Sequence, residues 1–272
     1  MSATLNVGGV WTGTWNMDVL DCNDDDAPEP DYEAVSVPGR SGDIHIWNGR
    51  YKNKMITYRC ACYANARTSI PALIERLLAQ PGYQRIEDSL HTSYYKMGEF
   101  VGATSPVYSD GGQTARFDLT FDCQPQKWLK SGANEITITS SPYTIQNPTR
   151  YPAYPLIKMY KTGTGTVDSG TVTLTHLNSS PAVEYTITNN YAYSTSQTHV
   201  MVAYDCDLGD AYTINSNGAS THSNANGSVA LSGTSGKIHI KRGSASVSDS
   251  QTRIAFSGTI SKIYLTPRWY TL

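Results

Sequence analysis

Residues 114–123 read Thr-Ala-Arg-Phe-Asp-Leu-Thr-Phe-Asp-Cys, and their alternation decides the fold class. Ala115, Phe117, Leu119, Phe121 and Cys123 are apolar, and every residue between them is polar. A period of two places the apolar side chains on one face of a strand and the polar ones on the other. Such a strand belongs in a sheet with one buried and one wet face, the usual condition of antiparallel sheets. The pattern recurs outward in both directions. It appears at 43–46, 55–63, 85–86 and 94–101, then at 171–176, 182–188, 199–204, 237–241, 251–257 and 260–265. Composition agrees: Tyr supplies 19 of 28 aromatic residues, and 21 of 30 Thr lie after residue 130. Both residue types suit a half-buried pleated surface.

One segment follows the other period. Ile70, Leu73, Ile74, Leu77 and Leu78 fall at i, i+3, i+4, i+7 and i+8, which predicts a helix over 70–78. Thr68 or Ser69 is positioned to cap it, Pro71 suits a first turn, and Pro81-Gly82 ends it. Ahead of it, 34–40 alternates through Val35 and Val37 and closes on Pro38-Gly39. Asn48-Gly49 is the strongest short turn signal in this half. These features predict hairpins within 35–63. The acidic run Asp21, Asp24, Asp25, Asp26, Glu29, Asp31 and Glu33, broken by Pro28 and Pro30, reads as an exposed loop.

A chain of 272 residues holds one large or two ordinary domains. Residues 1–130 carry 12 basic and 16 acidic side chains, net −4; residues 131–272 carry 9 and 7, net +2. That shift, near Ser131-Gly132-Ala133-Asn134, predicts domains at 1–133 and 134–272. The overall charge of −2 argues against phosphate-driven nucleic-acid binding. No apolar run approaches the ~18 residues of a membrane span, and 1–15 lacks the pattern of a secretory signal. Five cysteines, an odd number, then suit a reducing compartment. Residues 215–228 read as a polar, low-complexity loop.

Chemistry-bearing patterns are sparse. The six His form no ligand spacing. Cys60 and Cys62 share a strand face and, with Cys123, read as buried structural thiols rather than a metal site. Asp21-x-Asn23-x-Asp25 opens like a calcium loop, then has Asp26 where Gly is needed and Tyr32 where Glu is needed. Gly39-Arg40-Ser41-Gly42 is not a nucleophile elbow. Glu87 and Asp88 are adjacent on a strand and so face opposite ways. Asp205, Asp207 and Asp210 read as a strand end entering a turn. Tyr191, Tyr193 and Tyr212 are candidates for a glycan-stacking platform. No enzyme, cofactor or metal is expected.

The motifs, in order, resemble the distal tail proteins of long-tailed bacteriophages with siphovirus morphology. VPGRSGDI at 37–44 resembles that family's early hairpin motif. The helix at 70–78 followed by GYQRIEDSLHTSYYK at 82–96 is similar to its helix-then-strand block. ARFDLTFDCQPQKW at 115–128 resembles the strand closing its first domain, and NPTRYPAYPLIKMYKTGTG at 147–165 its passage into the second. DCDLGDAY at 205–212 and PRWYTL at 267–272 are similar to its closing signatures. The resemblance implies a mainly β protein: a sandwich or barrel-like ring-forming domain with one helix and a hairpin arm, then a galectin-like, carbohydrate-module-like β-sandwich (jelly roll). It implies a homo-hexameric ring in the virion, at the distal end of the tail, folded in the bacterial host cytoplasm. The ring joins the tail tube protein, the tape measure protein and a tail-associated fibre or lysin, with no specific nucleic-acid or membrane partner. Val37, Pro38, Gly39, Arg40, Ser41, Gly42 and Asp43 are the expected inter-subunit hairpin residues. The alternatives are a host cell-surface carbohydrate-binding module, with a host saccharide as ligand, and a cell-wall hydrolase.

Overall fold

The computed structural model describes residues 3–161, 169–191, 200–215 and 223–272. The chain forms two compact units, Met1–Trp128 with Leu272, and Leu129–Thr271. Each has its own apolar core.

The first unit is built on one antiparallel sheet. Its strands are β1 (Leu5–Val7), β2 (Val10–Trp11), β3 (Met17–Cys22), β6 (Lys54–Cys62), β7 (Gln84–Asp88), β8 (Tyr94–Ala103) and β10 (Thr114–Cys123), in the order β2-β1-β7-β8-β10-β6-β3. A single bridge between Ala3 and Val19 brings the two ends of that order together. β9 (Val107–Ser109) pairs with the start of β10, and β11 (Lys127–Leu129) pairs with β8. The deciding strand behaves as its pattern requires. On β10, Ala115, Phe117, Leu119, Phe121 and Cys123 are all buried, and the strand runs through the middle of the sheet beside β6 and β8. Cys60, Cys62 and Cys123 lie in the same apolar core.

Helix α1 (Ala66–Leu78) starts four residues before the predicted stripe. Neither Thr68 nor Ser69 caps it. The cap position is Asn65 in a left-handed conformation, whose carbonyl accepts the Thr68 and Ser69 N–H groups. Pro71 therefore sits inside the helix rather than in its first turn, where it removes one backbone donor. Ala66, Ile70, Leu73 and Leu77 face the core and Ile74 packs partly against it. Leu78, the last member of the stripe, is 66% exposed. Leu73→Ala is expected to cost about 2–5 kcal/mol through the cavity it leaves, whereas Leu78→Ala should stay within about 0.5 kcal/mol of wild type. Urea unfolding followed by circular dichroism checks both.

Two strands stand apart from that sheet. Among the described residues, β4 (Pro30–Val35) and β5 (Ile44–Tyr51) pair only with each other, as a separate two-stranded ribbon.

The second unit begins with the four-residue helix α2 (Lys130–Ala133), which the sequence did not signal. Two antiparallel sheets then pack face to face. One holds β12 (Ile136–Ile138), β14 (Leu156–Lys161), β17 (Val200–Asp205), β18 (Asp210–Asn215), β19 (Ser223–Asn224) and β22 (Ile260–Thr266), ordered β12-β22-β14-β17-β18-β19. The other holds β13 (Tyr143–Gln146), β15 (Gly170–His176), β16 (Val183–Asn189), β20 (Val229–Gly233) and β21 (Gln251–Gly258), ordered β13-β21-β15-β16-β20. A short β23 (Tyr270–Thr271) follows. Ile157, Met159, Ile263 and Leu265 from the first sheet share one core with Val172, Leu174, Ile187 and Ile254 from the second, which makes this unit a β-sandwich.

The predicted strand at 237–241 is absent. Ile238 and Ile240 are buried as the alternation requires, but the segment joins no sheet: its one backbone bridge, Ile240 to Ala153, is isolated. Part of the polar 215–228 stretch is ordered: β19 and a 3₁₀ turn at Asn226–Ser228, where Asn226 Oδ1 accepts the Ala211 N–H and its Nδ2 donates to Asp210. Residues 216–222 lie outside the described residues. Two motifs distant in sequence meet in this unit. The Arg268 guanidinium of PRWYTL donates through Nη1 to Asp205 Oδ1 (2.8 Å) and through Nη2 to Asp205 Oδ2 (2.7 Å) of DCDLGDAY. This two-pronged contact ties the two segments together.

Candidate functional site

The β4–β5 ribbon is the most unusual surface of the first unit. The polypeptide climbs β4, turns at the tip and returns along β5, and the Lys52 N–H closes the base on the Glu29 carbonyl (2.8 Å). The seven residues Val37, Pro38, Gly39, Arg40, Ser41, Gly42 and Asp43 form the tip. Its first half is a tight turn: the Arg40 N–H donates to the Val37 carbonyl (3.1 Å), with Pro38 and Gly39 between. Gly39 has φ +81°, the value that the third residue of a type II turn demands and that only Gly adopts without strain.

Asn48-Gly49 does not turn the chain. It lies inside β5, where Tyr32 pairs with Trp47 and Pro30 with Tyr51. Three residues on β5 thus face one on β4, which is a bulge, and Gly49 (φ +76°) supplies the left-handed step it needs. The glycine signal was real, but bulges and turns make the same demand on φ. Likewise Asp31 and Glu33, read as loop, lie in β4, and Asp21 lies in β3.

Pairing assigns the two faces of the ribbon. Tyr32, Ala34, His45 and Trp47 share one; Glu33, Val35, Ile44 and Ile46 share the other. Tyr32 and His45 stack at 4.1 Å, and Trp47 meets Tyr51 edge-on at 5.3 Å. Neither face has a cover: Trp47 is 55% and Ile46 51% exposed, and every residue from 36 to 50 is exposed. A lone two-stranded hairpin is marginal in water. Apolar residues on both faces and an unpaired edge on each strand are the attributes of a segment that completes itself on another surface.

A buried ionic network holds the root of this arm. Asp24, in the turn after β3, belongs to the acidic run read as exposed, yet its side chain is wholly buried. The Lys96 ammonium, 1% exposed, donates to Asp24 Oδ2 (2.9 Å), Asp88 Oδ2 (3.1 Å) and Tyr58 Oη (2.8 Å), so all three of its N–H bonds are used. Tyr94 Oη donates to Asp24 Oδ2 (2.9 Å) and Tyr58 Oη to Asp88 Oδ2 (3.1 Å). Lys54 and Lys127 each donate to the Asp24 carbonyl (2.7 Å). Burial would raise the pKa of Asp24 and of Asp88, but the charge and hydrogen bond of Lys96 outweigh it, and both carboxyls lie below their ordinary value. Burial would lower Lys96, and Asp88 and Asp24 together raise it. Nothing in the sequence announced this cluster, because its members lie up to 103 residues apart along the chain.

Cys22, His91 and Asp88 adjoin that network and have the composition of a nucleophile, a base and an orienting acid. Their geometry is different. His91 Nδ1 is 3.0 Å from Asp88 Oδ1 and 4.0 Å from Cys22 Sγ, so one ring nitrogen faces both groups, whereas a relay uses the two separately. Burial also raises the Cys22 thiol, the reverse of activation. Cys60 and Cys123 are pushed up to about 12 by burial. All five cysteines are free, and Cys22 alone is not fully buried. Ellman's reagent is therefore expected to reach at most one thiol in the native protein and five after denaturation.

The remaining sequence candidates disperse. Asp21 pairs with Arg59 (3.6 Å), and Asn23 Oδ1 accepts the Thr57 N–H (2.7 Å). Glu87 pairs with Arg85 (2.7 Å), while Asp88 points inward. Asp205 is held by Arg268, Asp207 pairs with Lys237 (3.3 Å), and Asp210 accepts from Asn226. Tyr191 packs against the core of the second unit, Tyr212 is half-buried on β18, and Tyr193 lies outside the described residues. His176 and His239 meet edge-on at 4.8 Å, and His199 and His222 lie outside the described residues. Among the described residues, no group of three or more His, Cys, Asp or Glu is placed to hold a metal ion, and no helix is long and apolar enough to cross a membrane.

A curled antiparallel sheet with one helix and a free-standing arm, followed by a β-sandwich, defines a class with solved members. No family model matches the chain, and neither does any curated protein. The Dit protein (gp 19.1) of SPP1, described as a paradigm of the hub adsorption apparatus in phages infecting Gram-positive bacteria, aligns with 100% of this chain and 100% of its own, at a TM-score of 0.67 and 16% identity. A chain of the phage P2 baseplate, in its calcium-bound activated conformation, aligns over 97% of both chains at 0.52 and 8% identity. At such identities the likeness is one of fold, and it extends through both units.

Proposed function

We propose that this chain is a structural distal tail protein of a long-tailed bacteriophage, a hexameric ring hub at the end of the tail tube. The observation that carries the reading is the fold likeness to the SPP1 hub protein over the full length of both chains. The uncovered arm supports it independently. A closed ring needs a patch on each subunit that fits a different patch on the next, and an exposed ribbon with apolar faces and open edges is such a patch. In this reading the tip residues 37–43 and the faces behind them clasp the neighbouring subunit. The first unit forms the ring, and the second, of galectin-like type, is offered to the tip proteins. The ring joins the tail tube and the tape measure protein on one side and the fibre or lysin on the other. The role is structural rather than enzymatic. Virion tails are the place of action, after folding in the host cytoplasm.

Negative-stain electron microscopy with mass photometry, on the full chain over a concentration series and again with purified tail tubes, tests this. Six-fold rings with a central hole, free or capping the tubes, are the expected result. Monomers throughout, with no binding to tubes, would overturn it. A screen of host cell-wall saccharides tests the alternative glycan reading of the second unit.

A further inference from the structure

We infer that the arm of one copy docks as an added strand along β9 of the next copy, with its side chains entering two hollows on opposite faces of that strand; this rests on the ring reading above. β9 is bonded to β10 alone, so among the described residues its other edge is open. It is an apolar edge: Val107 is 71% exposed, and Tyr108 is exposed as well. An open, exposed, apolar edge is a site for strand addition.

The register fixes what lies on either side of it. Val107 pairs with Arg116, and Ser109 with Thr114. With Leu20 and Tyr63 these four line a hollow of about 640 Å³. Pro106 and Tyr108, on the alternate positions, turn the other way. With Ile70, Ile74 and Leu78 of α1 they line a second hollow of about 440 Å³. This explains the outward Leu78, which extends the helix stripe beyond the core. A strand laid beside β9 also alternates, so it sends successive side chains into one hollow and then the other.

The ribbon matches this division. One of its faces carries Ile44, Ile46 and Glu33; the other carries Trp47 and His45. Each hollow has one charged wall residue, Arg116 in the first and Glu75 in the second, and neither is in an ion pair among the described residues. Charge complementarity sends the Glu33 face to Arg116, and the His45 face, whose ring N–H can donate a hydrogen bond, then meets Glu75. The outer edge of β5 is open to bond β9, since among the described residues β5 pairs with β4 only. The occupant is therefore a second copy of this chain, and the contact is heterologous, arm to edge, as ring closure demands.

The test places a photo-crosslinking benzoylphenylalanine at Tyr108 of the full chain and mixes isotope-labelled with unlabelled protein under ring-forming conditions, on tail tubes if these are required. Mixed-isotope cross-linked peptides joining residue 108 to the 44–47 segment are the expected product. Cross-links confined to single chains, or reaching another surface of the second copy, would overturn the inference. As a second variant, Val107→Asp alters a residue exposed enough to leave the fold unchanged, which a melting curve verifies. It should abolish rings at concentrations where wild type forms them. Rings that persist with Val107→Asp would overturn the β9 assignment and leave the hub reading standing. A wild type that forms no ring and binds no tube would overturn the hub reading itself.

Discussion

Lys96→Met should destabilise the first unit by about 3–5 kcal/mol, because it strips the shared cation from two buried carboxylates. Lys96 is inaccessible, and its three donors meet Asp24, Asp88 and Tyr58. In the variant Asp24 retains Lys127 and Tyr94, but Asp88 keeps only Tyr58 and His91. The pH dependence carries a clearer signature than the midpoint. In wild type both carboxyls titrate below their ordinary value, so their stabilisation is complete above about pH 3.9 and is lost as pH falls through the folded values. Lys96 titrates above its ordinary value, so its share is complete below about pH 10.4 and is lost as pH rises through the folded value. Wild-type stability should be flat between those limits with respect to these groups. Without Lys96, burial dominates at Asp88 and raises its pKa, and the slope reverses: the variant gains stability as pH falls through that raised folded pKa toward the ordinary carboxyl value. Urea titrations at pH 7 and pH 5 check this. An equal loss at both values would show that the network does not work as described.

On the ring reading proposed above, replacing Trp47 with Asp should abolish ring formation while leaving the melting temperature of the monomer unchanged. The side chain lies on a ribbon outside the cores of both units, so the folded monomer loses little. At an interface, a buried Trp is the residue type most often found to cost 2 kcal/mol or more when truncated. That is about thirtyfold in each contact, and a six-membered ring repeats the contact six times. Mass photometry across the concentration series measures the loss, and differential scanning calorimetry measures the monomer. Rings at wild-type concentrations would remove the arm from the assembly surface.

The sandwich and the curled sheet were legible in the sequence wherever one face of a strand is buried. At 114–123 the alternation matches the burial residue by residue. The helix was legible from its stripe, though its start was not: Asn65 begins it through its backbone carbonyl, without a side-chain cap from Thr68 or Ser69. The segment at 237–241 shows the limit of periodicity. Ile238 and Ile240 are buried on alternate positions, yet burial is all that alternation reports, and a ladder needs a neighbour. The tip of the arm was found from Pro38-Gly39, but its bulge was mistaken for a turn at Asn48-Gly49. The acidic run concealed Asp24, since local sequence records charge and not the lysines that folding brings to it.

The sandwich has an order of synthesis written into its topology. β12 and β13 are made early in that unit, yet among the described residues β12 pairs only with β22 and β13 only with β21. Tyr143 must wait for Ile254, which is 111 residues later. At about 5–20 residues per second of translation, the delay is roughly 5–20 s. The strands that form last occupy interior places in both sheets, so neither can close until they leave the ribosome. The seven strands on the main path of the first unit's sheet, β2 to β3, all precede residue 130, so its arm is made while the sandwich is still incomplete. On polysomes, neighbouring nascent chains would therefore display adhesive ribbons before they have finished second units, and early encounters between them favour identical partners from the same message.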